Sequence, residues 1–203
     1  MKSENQKIEL PLLDKKKITL YVKREDDLHP YISGNKYRKL KYNIVDAKTK
    51  EFKKILTYGG AFSNHIAATS FAGNENNLET IGIIRGDELR DKWHENPTLR
   101  FAHANGMRFK FVTRDWYRNK ETPEAISELK KEFGDFYRVP EGGTNELAVK
   151  GCEEILSIDD KEFTVICSCV GTGGTIAGII NSTNTDQNVL GFPALKGDFL
   201  KKD

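Results

Sequence analysis

Lys36 sits in Gly34-Asn35-Lys36-Tyr37-Arg38-Lys39-Leu40, where a glycine-bearing loop runs into an amphipathic helical pattern. An amine at that point meets the positive end of the helix, which disfavours its ammonium form, and burial pushes the same way. The outcome is a neutral nucleophile suited to attack on a carbonyl carbon. Lys39 and Lys41 fall on other faces of the pattern and are expected at the solvent surface. Far downstream, Gly171-Thr172-Gly173-Gly174-Thr175 follows a strand-like run and opens another helix. Such a loop offers free backbone N–H groups and a helix terminus to an anion, worth about 0.3–2 kcal/mol for the terminus alone. Gly171, Gly173 and Gly174 permit close approach, and Thr172 and Thr175 add hydroxyl donors. No lysine follows the last glycine, so this is not a Walker loop. Ile176 stands where a dinucleotide fingerprint needs its third glycine. The remaining readings are a phosphate cradle, which is favoured, and a plain structural turn.

A third segment, Gly59-Gly60-Ala61-Phe62-Ser63-Asn64-His65, also joins a strand to a helix. Ser63 or Asn64 could simply satisfy the free N–H groups of a helix start. Equally, the segment could place a hydroxyl and an amide at the carboxyl end of a sheet, where α/β proteins gather ligands. His65 already lies within the helix and reads as a packed or capping side chain. His29, His94 and His103 have no partner pattern and receive no role.

The elements that must position these segments alternate. Residues 17–24 read as a half-buried strand with Ile18, Leu20 and Val22 on one face. Residues 26–34 read as loop. Residues 35–47 read as a helix with Tyr37, Leu40, Ile44 and Val45 inward and basic residues outward. Strands at 54–58, 80–84 and 108–113 are interleaved with helices at 64–72, 97–104 and 123–133. Thr122 caps the last of these, Pro123 fits its first turn, and Gly134 stops it. A Glu141-Gly142-Gly143-Thr144 turn leads to a helix over 145–157. Residues 163–170 form a continuous apolar strand of the kind buried on both faces, followed by a helix over 175–181 and a strand over 188–192. Strands spaced by helices imply a parallel sheet covered on both sides. The chain therefore reads as α/β, with 50–138 inserted between 1–49 and 139–203.

A chain of 203 residues can bury a core, and 37% hydrophobic with 31% charged residues suits a soluble globular fold. A net charge of +2 comes from 32 basic and 30 acidic side chains mixed along the sequence, with no basic face for nucleic acid. Lys15-Lys16-Lys17 and Lys201-Lys202 read as solvated runs. No run approaches the ~20 apolar residues of a membrane span, and residues 1–20 lack the pattern of a signal peptide. Cys152, Cys167 and Cys169 are expected as buried thiols, and the cytoplasm is the expected compartment.

An amine that forms an imine and a loop that holds a phosphate are the two things pyridoxal 5'-phosphate asks of a protein. The order of the three segments resembles the 1-aminocyclopropane-1-carboxylate deaminase/D-cysteine desulfhydrase family, within the tryptophan-synthase-β-like enzymes of PLP fold type II. Lys23-Arg24-Glu25-Asp26 with residues 34–40 is similar to its lysine region. Gly60-Ala61-Phe62-Ser63-Asn64-His65 is similar to its Ser-Asn loop, residues 141–145 to a further glycine turn, and residues 171–175 to its phosphate loop. The resemblance implies two open parallel-sheet, Rossmann-like units, with residues 1–49 and 139–203 forming a cofactor-binding part incomplete at its C-terminal side.

It also implies that Lys36 carries the cofactor and shuttles protons, that Ser63 acts as an acid, base or nucleophile, and that Asn64 contacts the cofactor ring's oxygen. Residues Gly171, Thr172, Gly173, Gly174 and Thr175 would hold the phosphate. A small amino acid is the implied substrate, and a homodimer the implied assembly of a complete chain. Phe62 replaces the family's usual glutamine, which removes a hydrogen-bonding group beside the substrate. Outside this reading stand an inactive remnant or interaction module, a β-replacement enzyme on the same cofactor, and a nucleotide-binding protein using the glycine loop for a diphosphate.

Overall fold

The computed structural model describes residues 2–194. Lys201-Lys202 and the last stretch of the expected 139–203 segment lie outside the described residues. In chain order the elements are β1 (Asn5–Ile8), α1 (Pro11–Lys16), β2 (Leu20–Lys23), α2 (Asn35–Thr49), β3 (Lys54–Gly59), α3 (Asn64–Glu75) and β4 (Glu79–Arg85). They continue with α4 (Pro97–Ala104), β5 (Arg108–Val112), α5 (Arg114–Arg118), α6 (Pro123–Phe133), β6 (Tyr137–Arg138), α7 (Glu146–Cys152), β7 (Val165–Val170), α8 (Gly174–Ser182) and β8 (Asn188–Pro193).

The central sheet is parallel, in the order β5-β4-β3-β6. Its strands are apolar on both faces because helices cover both. Leu56, Tyr58, Ile81 and Ile83 pack against Tyr117, Leu129 and Phe133 of α5 and α6. On the other face, Ile84 and Phe111 pack with Ile66 of α3 and Leu99 and Ala102 of α4. Side-chain caps fix where helices begin: Ser63, Asn96, Thr113, Thr122 and Asn145 each accept from the backbone N–H three residues further on. A separate core joins α2 to β3 and α3 through Leu40, Ile44, Ala47, Ile55, Ala68 and Ala72. Among the described residues, no helix is long and apolar enough to cross a membrane.

Several expectations are corrected. β7 is not buried on both faces: among the described residues it pairs with β8 alone, and Val165, Cys167 and Cys169 are exposed beside Leu190 and Phe192. Helices α7 and α8 cover the other side, through Cys152, Ile155, Ile179 and Ile166. Of the cysteines, only Cys152 is therefore a buried thiol. In β2 the inward residues are Tyr21, against Phe163, and Lys23, paired with buried Asp160. Ile18, Leu20 and Val22 face outward, and among the described residues β2 pairs only with the short strand β1. Helix α7 ends at Cys152 rather than 157, since Ser157 instead caps a 3-10 helix at Ile158–Asp160. The loop expected at 26–34 begins with another 3-10 turn, Glu25–Leu28.

Helix α2 departs most from its expected pattern. Val45 is exposed, whereas Arg38 and Lys39 are 1% and 2% exposed. The helix is clasped from two sides, by α3 and by α7, so its basic side is interior. Arg38 is held there by Glu25 and Glu154.

Candidate active site

Two helix starts converge. Gly34, at φ +60°, turns the chain into α2, and Asn35 in its first turn donates from Nδ2 to Thr175 Oγ1 of α8 at 2.8 Å. The positive ends of α2 and α8 therefore face a common space. The turn at Glu141–Gly143 closes a third side, and the Ser63 cap of α3 a fourth. Three of the four follow strands of the parallel sheets, β3, β6 and β7, where backbone donors are left free, whereas the loop into α2 follows β2 of the antiparallel β1–β2 pair.

Lys36 stands at the junction of two cavities. One, of about 130 Å³, is lined by Lys36, Lys39, Gly171, Thr172, Gly173 and Thr175. The other, of about 570 Å³, is lined by Lys36, Tyr31, Ser63, Asn64, His65 and Thr172 among others. The Lys36 amine donates to the carbonyl oxygen of Gly142 at 3.4 Å. Burial lowers its pKa below the ordinary lysine value, with a weaker opposing pull from Cys152. The amine thus does not point into bulk solvent, and its neutral form is favoured by its surroundings.

Seven of the eight residues singled out in the sequence line these cavities: Lys36, Ser63, Asn64, Gly171, Thr172, Gly173 and Thr175. Gly174 sits behind the cradle. A Cβ there would come within 2.8 Å of Thr144 Cγ2 and 3.3 Å of Lys39 Nζ, so glycine is what lets the loop close on those groups. Gly174→Ala is predicted to cost about 1–3 kcal/mol in urea unfolding. An unchanged unfolding midpoint would mean the contact relaxes freely. Ser63 caps α3, its Oγ accepting from the Ile66 N–H at 3.3 Å, and also lines the larger cavity.

Lys39, expected at the surface, is the principal residue the sequence reading missed. Its amine donates to Thr144 Oγ1 at 2.9 Å, Gly142 O at 3.3 Å and Thr172 Oγ1 at 3.3 Å. Burial, reinforced by the nearby Lys36 charge, lowers its pKa to about 8. The signal was present in its position three residues after Lys36, which puts both amines on adjoining parts of one helix face. His65 was read as a packed side chain and is one. It is fully buried, and burial together with the Lys36 and Lys39 charges lowers its pKa to about 3.

The donor set suits an aldehyde-bearing phosphate. Nothing lies within 4 Å of a Cβ built on Gly171 or on Gly173, whose φ is +82°, so the cradle has room in front of its backbone. Lys39, Thr172, Thr175 and the start of α8 supply positive charge and hydrogen-bond donors, and Lys36 supplies a nucleophilic amine at the far side.

The sheets and this site define an α/β enzyme scaffold of PLP fold type II. Residues 4–191 match the family described as pyridoxal-phosphate dependent enzyme, and the chain belongs to that family. It is 33% identical over 177 residues to the mitochondrial bifunctional D-cysteine desulfhydrase/1-aminocyclopropane-1-carboxylate deaminase of Arabidopsis thaliana, covering 79% of this chain and 44% of that protein. It is 32% identical over 176 residues to a putative 1-aminocyclopropane-1-carboxylate deaminase of Thermotoga maritima, covering 83% and 55%. The crystal structure of an ACC deaminase homologue superposes with a TM-score of 0.79 at 26% identity, covering 100% of this chain and 63% of that one. Maize serine racemase, at 16% identity and a TM-score of 0.68, shares the fold. The chain spans about half the length of the curated relatives it matches.

Proposed function

We propose that this chain holds pyridoxal 5'-phosphate between Lys36 and the glycine loop, and that the protein carries out deamination or elimination on a small amino acid. The observation that carries this reading is the place of Lys36, whose depressed amine lines both the phosphate-sized cavity and the larger one beside Ser63 and Asn64. The bound cofactor would supply an electron sink for charge developing at the substrate's α-carbon. The phosphate is read as held by Gly171, Thr172, Gly173, Gly174 and Thr175 with the Lys39 ammonium, and the ring's oxygen by Asn64. Lys36 would form the covalent attachment and, once displaced by the substrate's amine, would move a proton at the substrate: the α-hydrogen of D-cysteine, or a ring CH2 hydrogen of 1-aminocyclopropane-1-carboxylate, whose α-carbon carries none. The Ser63 hydroxyl, which lines the larger cavity, is read as moving a second proton on the substrate side.

D-cysteine, which would yield pyruvate, ammonia and sulfide, and 1-aminocyclopropane-1-carboxylate, which would yield an oxo acid and ammonia, are the two substrates this reading favours. Phe62, 77% exposed at the head of the Ser63 turn, puts an apolar ring where a hydrogen-bonding side chain would otherwise stand. A β-replacement reaction uses the same residues and is the nearest rival. We read 50–138 as an inserted unit, the cytoplasm as the compartment, and a homodimer as the assembly of the whole protein.

The test incubates the chain with cofactor and each amino acid and follows pyruvate, 2-oxobutanoate and ammonia. Product above the Lys36→Ala control from either substrate supports the reading. Activity that survives Lys36→Ala contradicts it. Turnover is predicted to fall below the ~1–10³ per second of ordinary enzymes, because the apolar face of β7 and β8 is bare among the described residues. A rate within that range would overturn this prediction.

A further inference from the structure

His65 carries an unexplained acceptor. Thr57 Oγ1, fully buried, lies 2.7 Å from His65 Nε2 and donates to the Val139 carbonyl oxygen at 2.9 Å. A hydroxyl has one proton. Given to Val139, it leaves Thr57 Oγ1 free to accept from Nε2–H, so that Thr57 Oγ1, Nε2 and the Val139 oxygen are all paired. Given to Nε2 instead, it leaves the Val139 oxygen facing a bare oxygen and strands a proton on Nδ1. The first arrangement makes His65 the neutral Nε2–H tautomer with a lone pair on Nδ1. That Nδ1 is buried and has no hydrogen-bond partner among the described residues.

An orphaned buried acceptor costs about 1–3 kcal/mol, so a donor is called for. Its edge of the ring lies against Gly143, where a Cβ would come within 3.3 Å of Nδ1 and 3.7 Å of Lys39 Cβ. The adjoining Gly142 carbonyl is the one that takes both lysine amines. Two cations face the ring, and their hydrogen bonds choose between them. The three ammonium protons of Lys39 already have Gly142 O, Thr144 Oγ1 and Thr172 Oγ1. Among the described residues Lys36 has Gly142 O alone, at 3.4 Å, and shares the 570 Å³ cavity with His65.

We propose that His65 is a positioning residue whose Nδ1 accepts from the Lys36 amine and turns it toward the Ser63–Asn64 side of the cavity. A neutral acceptor directs the amine without the strong pull toward the ammonium form that a carboxylate would exert. Depression of the His65 pKa by burial and by both lysines keeps that acceptor unprotonated at working pH. The inference deepens the proposed function, because the amine being aimed is the one assigned to the cofactor.

The test needs no cofactor. Long-range proton–nitrogen spectra of the histidine-labelled chain are expected to show His65 with an unprotonated Nδ1 and a protonated Nε2; a protonated Nδ1 would overturn the proposal. The second measurement is the pH midpoint of Lys36 reaction with formaldehyde and cyanoborohydride, mapped by peptide mass spectrometry. His65→Asn places an oxygen where Nδ1 stood and gives up the Thr57 contact, whereas His65→Gln does the reverse. The Gln variant is expected to lower the Lys36 midpoint by about one unit, since the ammonium loses an acceptor. The Asn variant is expected to leave it close to the wild-type value. Equal shifts in both, or none in the Gln variant, would show a purely structural role. If either variant does not fold, the tautomer spectrum of the unmodified chain decides. Failure of Lys36 to form an adduct with pyridoxal phosphate, with these results intact, would sink the functional reading and leave this one standing.

Discussion

Replacing Lys39 with methionine is expected to weaken pyridoxal 5'-phosphate binding about 100-fold while changing the affinity for pyridoxal, which lacks the phosphate, by less than about threefold. The asymmetry follows from where the amine reaches. Lys39 donates to the hydroxyl of Thr172 in the glycine loop and to that of Thr144 beside it, and Gly174 is glycine so that the loop can close on it. Methionine keeps the stem volume and removes only the charge and its donors. The same substitution has a signature in stability. The unfolded lysine holds its proton to about its ordinary value of 10.5, whereas the folded one releases it near 8. Between those values the unfolded state binds more protons, so stability rises with pH across that window. The wild-type chain should gain up to about 3 kcal/mol from pH 8 to pH 10.5 through this group, and Lys39→Met should lack that gain. Calorimetric binding of the two ligands and urea unfolding at the two pH values measure both halves. Equal losses of affinity for the two ligands would place Lys39 away from the phosphate.

Acid should destabilise the fold through His65 by about 3 kcal/mol between pH 7 and pH 4. In the unfolded chain this histidine protonates near its ordinary value of 6.5, while in the fold burial and two neighbouring lysines hold that event down to about 3. The unfolded state therefore binds more protons throughout that window, and stability falls as pH falls through it. Carboxylates held low by ion pairs, Glu154 beside Lys41 and Asp160 beside Lys23, lose stability in acid as well. The difference between wild type and His65→Gln isolates the histidine share. Parallel pH curves for the two proteins would show that His65 already carries a proton in the fold.

The sequence made the central sheet legible because its signals were local. Thr122-Pro123 starts α6 and Gly134 ends it, Ser63 starts α3, and the strands between are short apolar runs of the length that covered parallel sheets use. The amine, the glycine loop and the Ser63 turn were legible for the same reason, each being a glycine- or cap-bearing start of a helix. What failed were inferences that assumed one buried face per element. Lys39 was assigned to solvent because α2 looked amphipathic, yet α2 is gripped by α3 and by α7, where Gly151 lets the backbones meet: a Cβ there would lie 2.0 Å from the Arg38 carbonyl oxygen. β7 was assigned to the interior because it is apolar on both faces, yet only α7 and α8 cover it among the described residues. Burial of these two elements depends on neighbours distant in sequence, which periodicity does not report.

Of the two buried amines whose pKa is lowered, Lys36 and Lys39, only Lys36 is expected to take the aldehyde, and borohydride reduction after mixing with pyridoxal 5'-phosphate reads this out. A single pyridoxyl-modified peptide is expected, at Lys36, with an absorbance band that is lost in Lys36→Ala. Modification spread over surface lysines, or confined to any lysine other than Lys36, would contradict it.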